Sequence, residues 1–81
     1  MLSGLQFEAA RFDAMAALRN REWVEARAPG FLRPTTYLEP FALRALGIVR
    51  EDDELLAQAD RAFAALGLDW HRGQTEALLR V

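Results

Sequence analysis

Histidine is the side chain best suited to acid–base or metal chemistry near neutral pH, and this sequence of 81 residues contains one, His71. Its acidic companions Asp69 and Glu76 are not spaced as metal ligands on one helix face. A metal site usually needs three or more ligands, and a catalytic histidine needs an oriented partner. We therefore expect a surface or half-buried role for His71 and no bound metal.

The other reactive side chains lack the surroundings that chemistry requires. There is no Cys, which removes disulfides and thiolate catalysis, and the one serine, Ser3, lies at a predicted helix start. The acidic run from Glu51 to Glu54 lacks the spaced acids, the glycine turn and the distal glutamate of a calcium loop. The glycines form neither G-x-G-x-x-G nor a phosphate-binding loop. We expect a protein that is not an enzyme and uses no cofactor.

Composition indicates one all-α domain. The chain has 15 Ala and 13 Leu, which favour helices, and few of the β-branched residues that favour strands. Its basic residues are all Arg, and 12 acidic residues bring the net charge to -2, unlike the basic character of nucleic-acid-binding domains. No apolar run could span a bilayer, and the first residues do not form a signal peptide. We expect a cytoplasmic protein with neither nucleic acid nor membrane as partner.

Start and stop signals predict five short helices. Ser3 and Gln6 have the spacing of a capping box, and Pro29-Gly30 ends a second helix before a loop over residues 31–38. Pro40 suits the first turn of a third helix. The predicted helices span residues 3–20, 22–28 and 40–50, then one capped by Asp52 or Asp53 and ended at Gly67, and a last one over 70–79 capped by Asp69.

The first and fourth helices carry the most specific patterns. Gly67 suits a left-handed position, with Leu68 then contacting Phe63 as in a Schellman motif. The first helix has two apolar stripes where a surface helix needs one, so we expect neighbours on both of its sides. These stripes are Leu5, Ala9, Phe12 and Ala16, and Phe7, Ala10, Ala14, Ala17 and Leu18.

The segment from Pro40 to Gly67 resembles the tetratricopeptide repeat. Leu43, the pair Leu46-Gly47, Ala59 and Phe63 fall at the offsets of that pattern. Small residues at 47 and 59 would let two helices approach closely. The resemblance implies stacked antiparallel helix-turn-helix units: an irregular one at 3–34, a regular one at 37–67, and a terminal helix at 69–80. A small helical bundle that matches by chance is the alternative.

A longer stretch is similar to one group of helical repeats. Residues 37–79, with the segments FALRALG and Asp69-Trp70-His71, resemble the carboxy-terminal repeat tails of large bacterial regulators. Those tails follow ATPase, nucleotide-cyclase or LuxR-type modules and serve as interaction scaffolds. The resemblance implies a protein–protein interaction module, either free-standing or part of such a regulator.

In such repeats the first helix of each pair lines a concave face that binds a partner. Arg11 and Arg44, flanked by apolar residues, would suit an acidic or mixed helical peptide. By position, the resemblance places on this face Glu8, Arg11, Met15, Phe41, Arg44, Ile48 and Glu51.

Two other functions stay open at this point. Two helix pairs are fewer than repeat proteins normally need, so the chain would form a homodimer through its first or last helix, or contact neighbouring repeats of a longer protein. Self-association could then be its whole role. A small ligand-binding bundle is the third hypothesis.

Overall fold

The computed structural model describes residues 4–79, and this part of the chain contains five α-helices and no β-strand. The prediction of an all-α fold is confirmed. The helices are α1 (Gly4–Ala17), α2 (Arg21–Arg27), α3 (Glu39–Arg50), α4 (Asp53–Ala65) and α5 (Asp69–Leu79), with a 3-10 turn at Ala28–Phe31 directly after α2.

Helix α3 lies at the centre of the fold, in contact with α1, α2 and α4. Every residue from Pro40 to Gly47 is buried, so this helix is covered around its whole circumference. Helix α4 lies between α3 and α5. The largest fully buried side chains come from three different helices: Phe12 of α1, Phe41 of α3 and Phe63 of α4.

Gly47 lies where α3 meets α4, as predicted. A Cβ atom built on it would lie 2.8 Å from Cγ and Cδ2 of Leu56 and 3.1 Å from the Leu56 backbone nitrogen. Real Cβ atoms essentially never come within 3.0 Å of another atom, and the Leu56 backbone nitrogen cannot move without shifting α4. The absence of a side chain at Gly47 therefore sets the separation of the two helices.

Helix α4 begins and ends at the predicted signals. The Asp52 carboxylate accepts hydrogen bonds from the backbone N–H groups of Glu54 (3.0 Å) and Leu55 (3.2 Å). At the other end Gly67 has a φ of 72°. The N–H of Leu68 donates to the Phe63 carbonyl at 3.0 Å, so the Schellman motif is present.

Two further helices end in the same way, without glycine. Arg19 after α1 has a φ of 56°, and Glu51 after α3 has a φ of 52°. In each case the next residue, Asn20 or Asp52, donates its N–H to a carbonyl five residues earlier in the chain. The sequence predicted this ending only at Gly67, because Arg and Glu are not typical of left-handed positions.

The predicted end of the second helix before Pro29-Gly30 is confirmed, since α2 ends at Arg27 and these two residues lie in the 3-10 turn that follows it. Two other predicted boundaries need correction. Helix α1 ends at Ala17 rather than near residue 20, because Arg19 turns the backbone. Asp69 is the first helical residue rather than the cap, since the N–H of Arg72 donates to the carbonyl of Leu68. The capping box predicted at Ser3 lies outside the described residues.

Helix α1 buries one of its two apolar stripes. Ala9, Phe12 and Ala16 lie in the core. The second stripe is exposed, and so is Leu5 of the first. Within residues 4–79 the helix is therefore covered on one side, although the two stripes predicted neighbours on both. The exposed stripe comprises Phe7, Ala10, Ala14, Ala17 and Leu18.

Candidate interaction groove

A groove of about 450 Å³ runs along α3 between α1 and α5. Helix α3 provides its floor, and the two outer helices provide its walls. The lining is mostly apolar, which suits a ligand that buries hydrophobic surface. The lining residues are Asp13, Ala17 and Arg19 from the α1 side, Arg44 and Ile48 from α3, and Gln74, Ala77 and Leu78 from α5.

Arg44 joins the three helices at the groove floor. Its side chain is 4% exposed, and its Nη2 atom donates to Oδ1 of Asp13 on α1 at 2.9 Å. Its Nη1 atom donates to the carbonyl of His71 (3.3 Å) and to Oγ1 of Thr75 (3.4 Å) on α5. A buried charge is stable only when it is paired and hydrogen-bonded, and Arg44 meets both conditions.

The Arg44 guanidinium also lies over two aromatic rings of the core. Its Cζ atom is 4.8 Å from the ring centre of Phe63 and 5.6 Å from that of Phe41. The positive charge is attracted to the negative faces of these rings, which compensates part of the loss of hydration. Arg44 therefore holds the groove walls together by polar bonds while it packs as a core residue.

His71 is half-buried beside Arg44, in agreement with one of the two roles expected for it. Its Nδ1 atom is 3.2 Å from Nη2 of Arg44, and its ring stacks on Phe63 at 5.2 Å. Burial lowers the pKa of His71, and the charge of Arg44 lowers it further, whereas Asp13 raises it. Because Arg44 can only donate, Nδ1 must accept, and this contact requires the neutral imidazole.

A second, smaller depression of about 250 Å³ continues the groove. It shares Arg19, Ile48 and Leu78 with the groove. It then reaches Glu51, which follows α3, and Asp53, the first residue of α4. Arg19 stands at the junction, where its Nη1 atom donates to the Ile48 carbonyl at 3.0 Å. The two depressions therefore form one surface with carboxylates at its far end, and we call this surface the extended groove.

The structure brings three of the seven predicted binding residues to the extended groove: Arg44, Ile48 and Glu51. Phe41 is buried, and so is all but a small part of Arg44, so the prediction that these two present an open face needs correction. The cause is α5, whose His71 ring packs against Phe41 and whose backbone accepts from Arg44.

The predicted residues of α1 lie on the opposite flank, towards α2. Glu8 accepts from Nε of Arg27 at 2.6 Å, and Arg11 lies over the Trp23 ring at 5.3 Å. Met15 is half-buried against the core. These residues are held within the domain and do not line the groove.

Sequence reasoning missed the α1 and α5 residues that form the groove walls. Asp13 and Ala17 are one helical turn apart, so they share a side of α1. Ala17 belongs to the second apolar stripe, which was the available signal for this side of the helix. On α5, Gln74, Ala77 and Leu78 have the spacing of one helix face. Because this face mixes a polar residue with apolar ones, it does not form an apolar stripe like that of α1.

Among residues 4–79, no three His, Asp or Glu side chains are grouped so that they could hold a metal ion. In the same range no helix is both long and apolar enough to cross a bilayer.

No protein family model, no curated protein and no solved structure matches this chain.

Proposed function

We propose that this chain is a non-catalytic protein–protein interaction module that receives an apolar helix face of its partner in the extended groove. The observation that carries the proposal is the groove itself, in which Ala17, Ile48 and Leu78 line a cleft between α1 and α5. Amphipathic helices bind such clefts by inserting side chains spaced three or four residues apart.

The polar bonds of Arg44 support this use, because they link both walls of the groove to α3. A cleft that exists before binding spares the partner the cost of opening it. The similarity of residues 37–79 to regulator tails favours a module of a cytoplasmic bacterial transcriptional or signalling regulator, built as tetratricopeptide-like units.

A peptide titration followed by NMR tests the proposal. The probe is an uncharged amphipathic peptide of about 14 residues, roughly four helical turns, with one leucine stripe. We expect the largest chemical-shift changes at Ile48 and Ala77. Leu78→Asp should abolish them, because it places a charge in the apolar wall, whereas Leu5→Asp, an exposed site elsewhere on α1, should not. Shift changes confined to other faces would refute the proposal.

Self-association is a second candidate, favoured by the exposed apolar stripe of α1. Phe7 and Leu18 are 56% and 72% exposed, and the alanines between them would allow close approach of another helix. A homodimer formed through this stripe would bury it. Sedimentation at micromolar concentration tests this, with Ala14→Glu as the disrupting variant. A monomer of 9.1 kDa would reject the dimer and leave the groove proposal unaffected.

A further inference from the structure

We infer that the partner helix carries a cationic side chain that meets Glu51 and Asp53 at the far end of the extended groove, beside an apolar face that fills the groove. This inference rests on the proposed function and adds the charge of the partner to it.

The carboxylates of Glu51 and Asp53 are available for such a contact. Both residues are exposed and line the smaller depression. Neither forms an ion pair with any residue in the range 4–79. The neighbouring Asp52, in contrast, uses its carboxylate to cap α4. Glu51 and Asp53 thus have no ion-pair partner in this range, although Asp53 lies in the first turn of α4, where the helix N-terminus favours a negative charge.

Of the two arginines of the groove, only Arg44 is paired with a carboxylate, whereas the exposed Arg19 keeps its positive charge. Arg44 is buried and paired with Asp13, and Arg19 donates to the Ile48 carbonyl. The charged residues that line the extended groove are three acids and two arginines, so the surface is acidic overall. The expectation of an acidic partner rested on free charges at Arg11 and Arg44, and the structure pairs both of these arginines within the domain.

The arrangement of charge and apolar surface specifies the partner further. Ile48 and Leu78 border both depressions, so apolar contact extends up to the carboxylates. A lysine or arginine one helical turn beyond the apolar stripe of the partner would lay its methylene chain on this surface and its charge beside the acids. The partner is therefore an amphipathic helix with a basic end.

Three labelled peptides test the charge. They share the leucine stripe of the uncharged probe and differ at two end positions, which are Lys, Gln or Glu. In fluorescence anisotropy the Lys peptide should bind about threefold to tenfold more tightly than the Gln peptide, and the Glu peptide more weakly than both. The differences should shrink in high salt, because exposed charges are screened.

Matched variants assign the effect to the turn. The double variant Glu51→Gln/Asp53→Asn should remove the advantage of the Lys peptide and leave the affinity for the Gln peptide unchanged. The control variant Glu22→Gln/Glu39→Gln removes two negative charges outside the groove. It should change neither the advantage of the Lys peptide nor the affinity for the Gln peptide. If the Gln and Lys peptides bind equally but Leu78→Asp still abolishes binding, the charge inference is wrong and the groove stands. If no peptide binds, or if Leu78→Asp does not reduce binding, both the charge inference and the groove proposal are wrong.

Discussion

Helices α1 and α3 both border the groove, but the surrounding helices bury them to very different extents. Helix α3 is buried on every side from Pro40 to Gly47, whereas α1 buries one stripe and exposes another. Both helices are rich in Ala and Leu, so their residue types do not explain the difference. Their positions do, because α3 has neighbours on all sides and α1 lies at the edge of the bundle. An apolar stripe shows that a helix can be covered, and the packing decides whether it is.

Two of the arginines that lie over aromatic rings, Arg44 and Arg11, provide the strongest test of this contrast. Arg44 is buried and bonded to two other helices, whereas Arg11 has a side chain 37% exposed and a 3.4 Å ion pair with Glu8. Arg44→Ala should lower the free energy of unfolding by about 2–4 kcal/mol, because it leaves a cavity and unpaired buried acceptors. Arg11→Ala should cost less than about 1 kcal/mol, since water screens its contacts. Urea denaturation measures both, and similar losses would contradict the contrast.

Added bulk should also distinguish the two helices. Gly47→Leu would force a side chain into Leu56, and we expect a loss of about 1–3 kcal/mol. Helix propensity alone predicts the opposite, a gain of up to about 1 kcal/mol. Ala14→Leu makes a comparable change on the exposed stripe of α1 and should stay within about 0.5 kcal/mol of the parent. A raised denaturation midpoint for Gly47→Leu would show that α3 and α4 can separate freely.

Acidification should lower the free energy of unfolding through His71, whose ring on α5 packs beside Arg44 of α3. Its pKa is lower in the folded than in the unfolded chain, so the unfolded state binds the proton more readily. The contribution of the neutral His71 to the free energy of unfolding is fully present above pH 6.5, the ordinary pKa of histidine. It is lost as the pH falls from there through the lower pKa of the folded state. We expect a lower midpoint of thermal unfolding at pH 5.5 than at pH 7.5. His71→Gln should flatten this dependence, and an unchanged slope would assign it to other groups.

The smallest expected effects concern the ends of the two helices. Glu51→Gly should stabilise the protein by up to about 1 kcal/mol, because glycine adopts the φ of 52° without steric cost. Arg19→Gly should gain less, since it also removes the bond from Arg19 to the Ile48 carbonyl. Glu51→Ala keeps the Cβ atom and serves as the control without gain. Thermal unfolding resolves these differences, and a loss for Glu51→Gly would show that its side chain stabilises the turn.

Local signals in the sequence predicted the helices well. The cap at Asp52 and the left-handed Gly67 depend on neighbours within a few residues, so the sequence alone shows them. Gly47 was predictable because the tetratricopeptide pattern has a small residue at this offset, where two helices meet. Arg19 and Glu51 were not, since their left-handed backbone follows from the direction of the next helix rather than from their own residue types.

The groove was only partly predictable, because it depends on where α5 packs. The family pattern placed Phe41 and Arg44 on an open face, but α5 covers them. Periodicity reveals which residues share a face of one helix, whereas the helix that covers this face is set by the whole chain. For the same reason the apolar residues Ala77 and Leu78 indicated an association surface on the last helix, but not that they form a groove wall opposite α1.

The burial of α3 from Pro40 to Gly47 also has a consequence for the order in which the protein opens. Backbone amides exchange with solvent deuterium only when their hydrogen bonds break, and those of a helix enclosed on every side break last. We expect the amides from Phe41 to Gly47 to exchange only through global unfolding. Those of α1 and α5 should exchange sooner, through partial openings that release one groove wall at a time. The centre of the molecule would thus persist as a folded unit while its binding surface transiently comes apart.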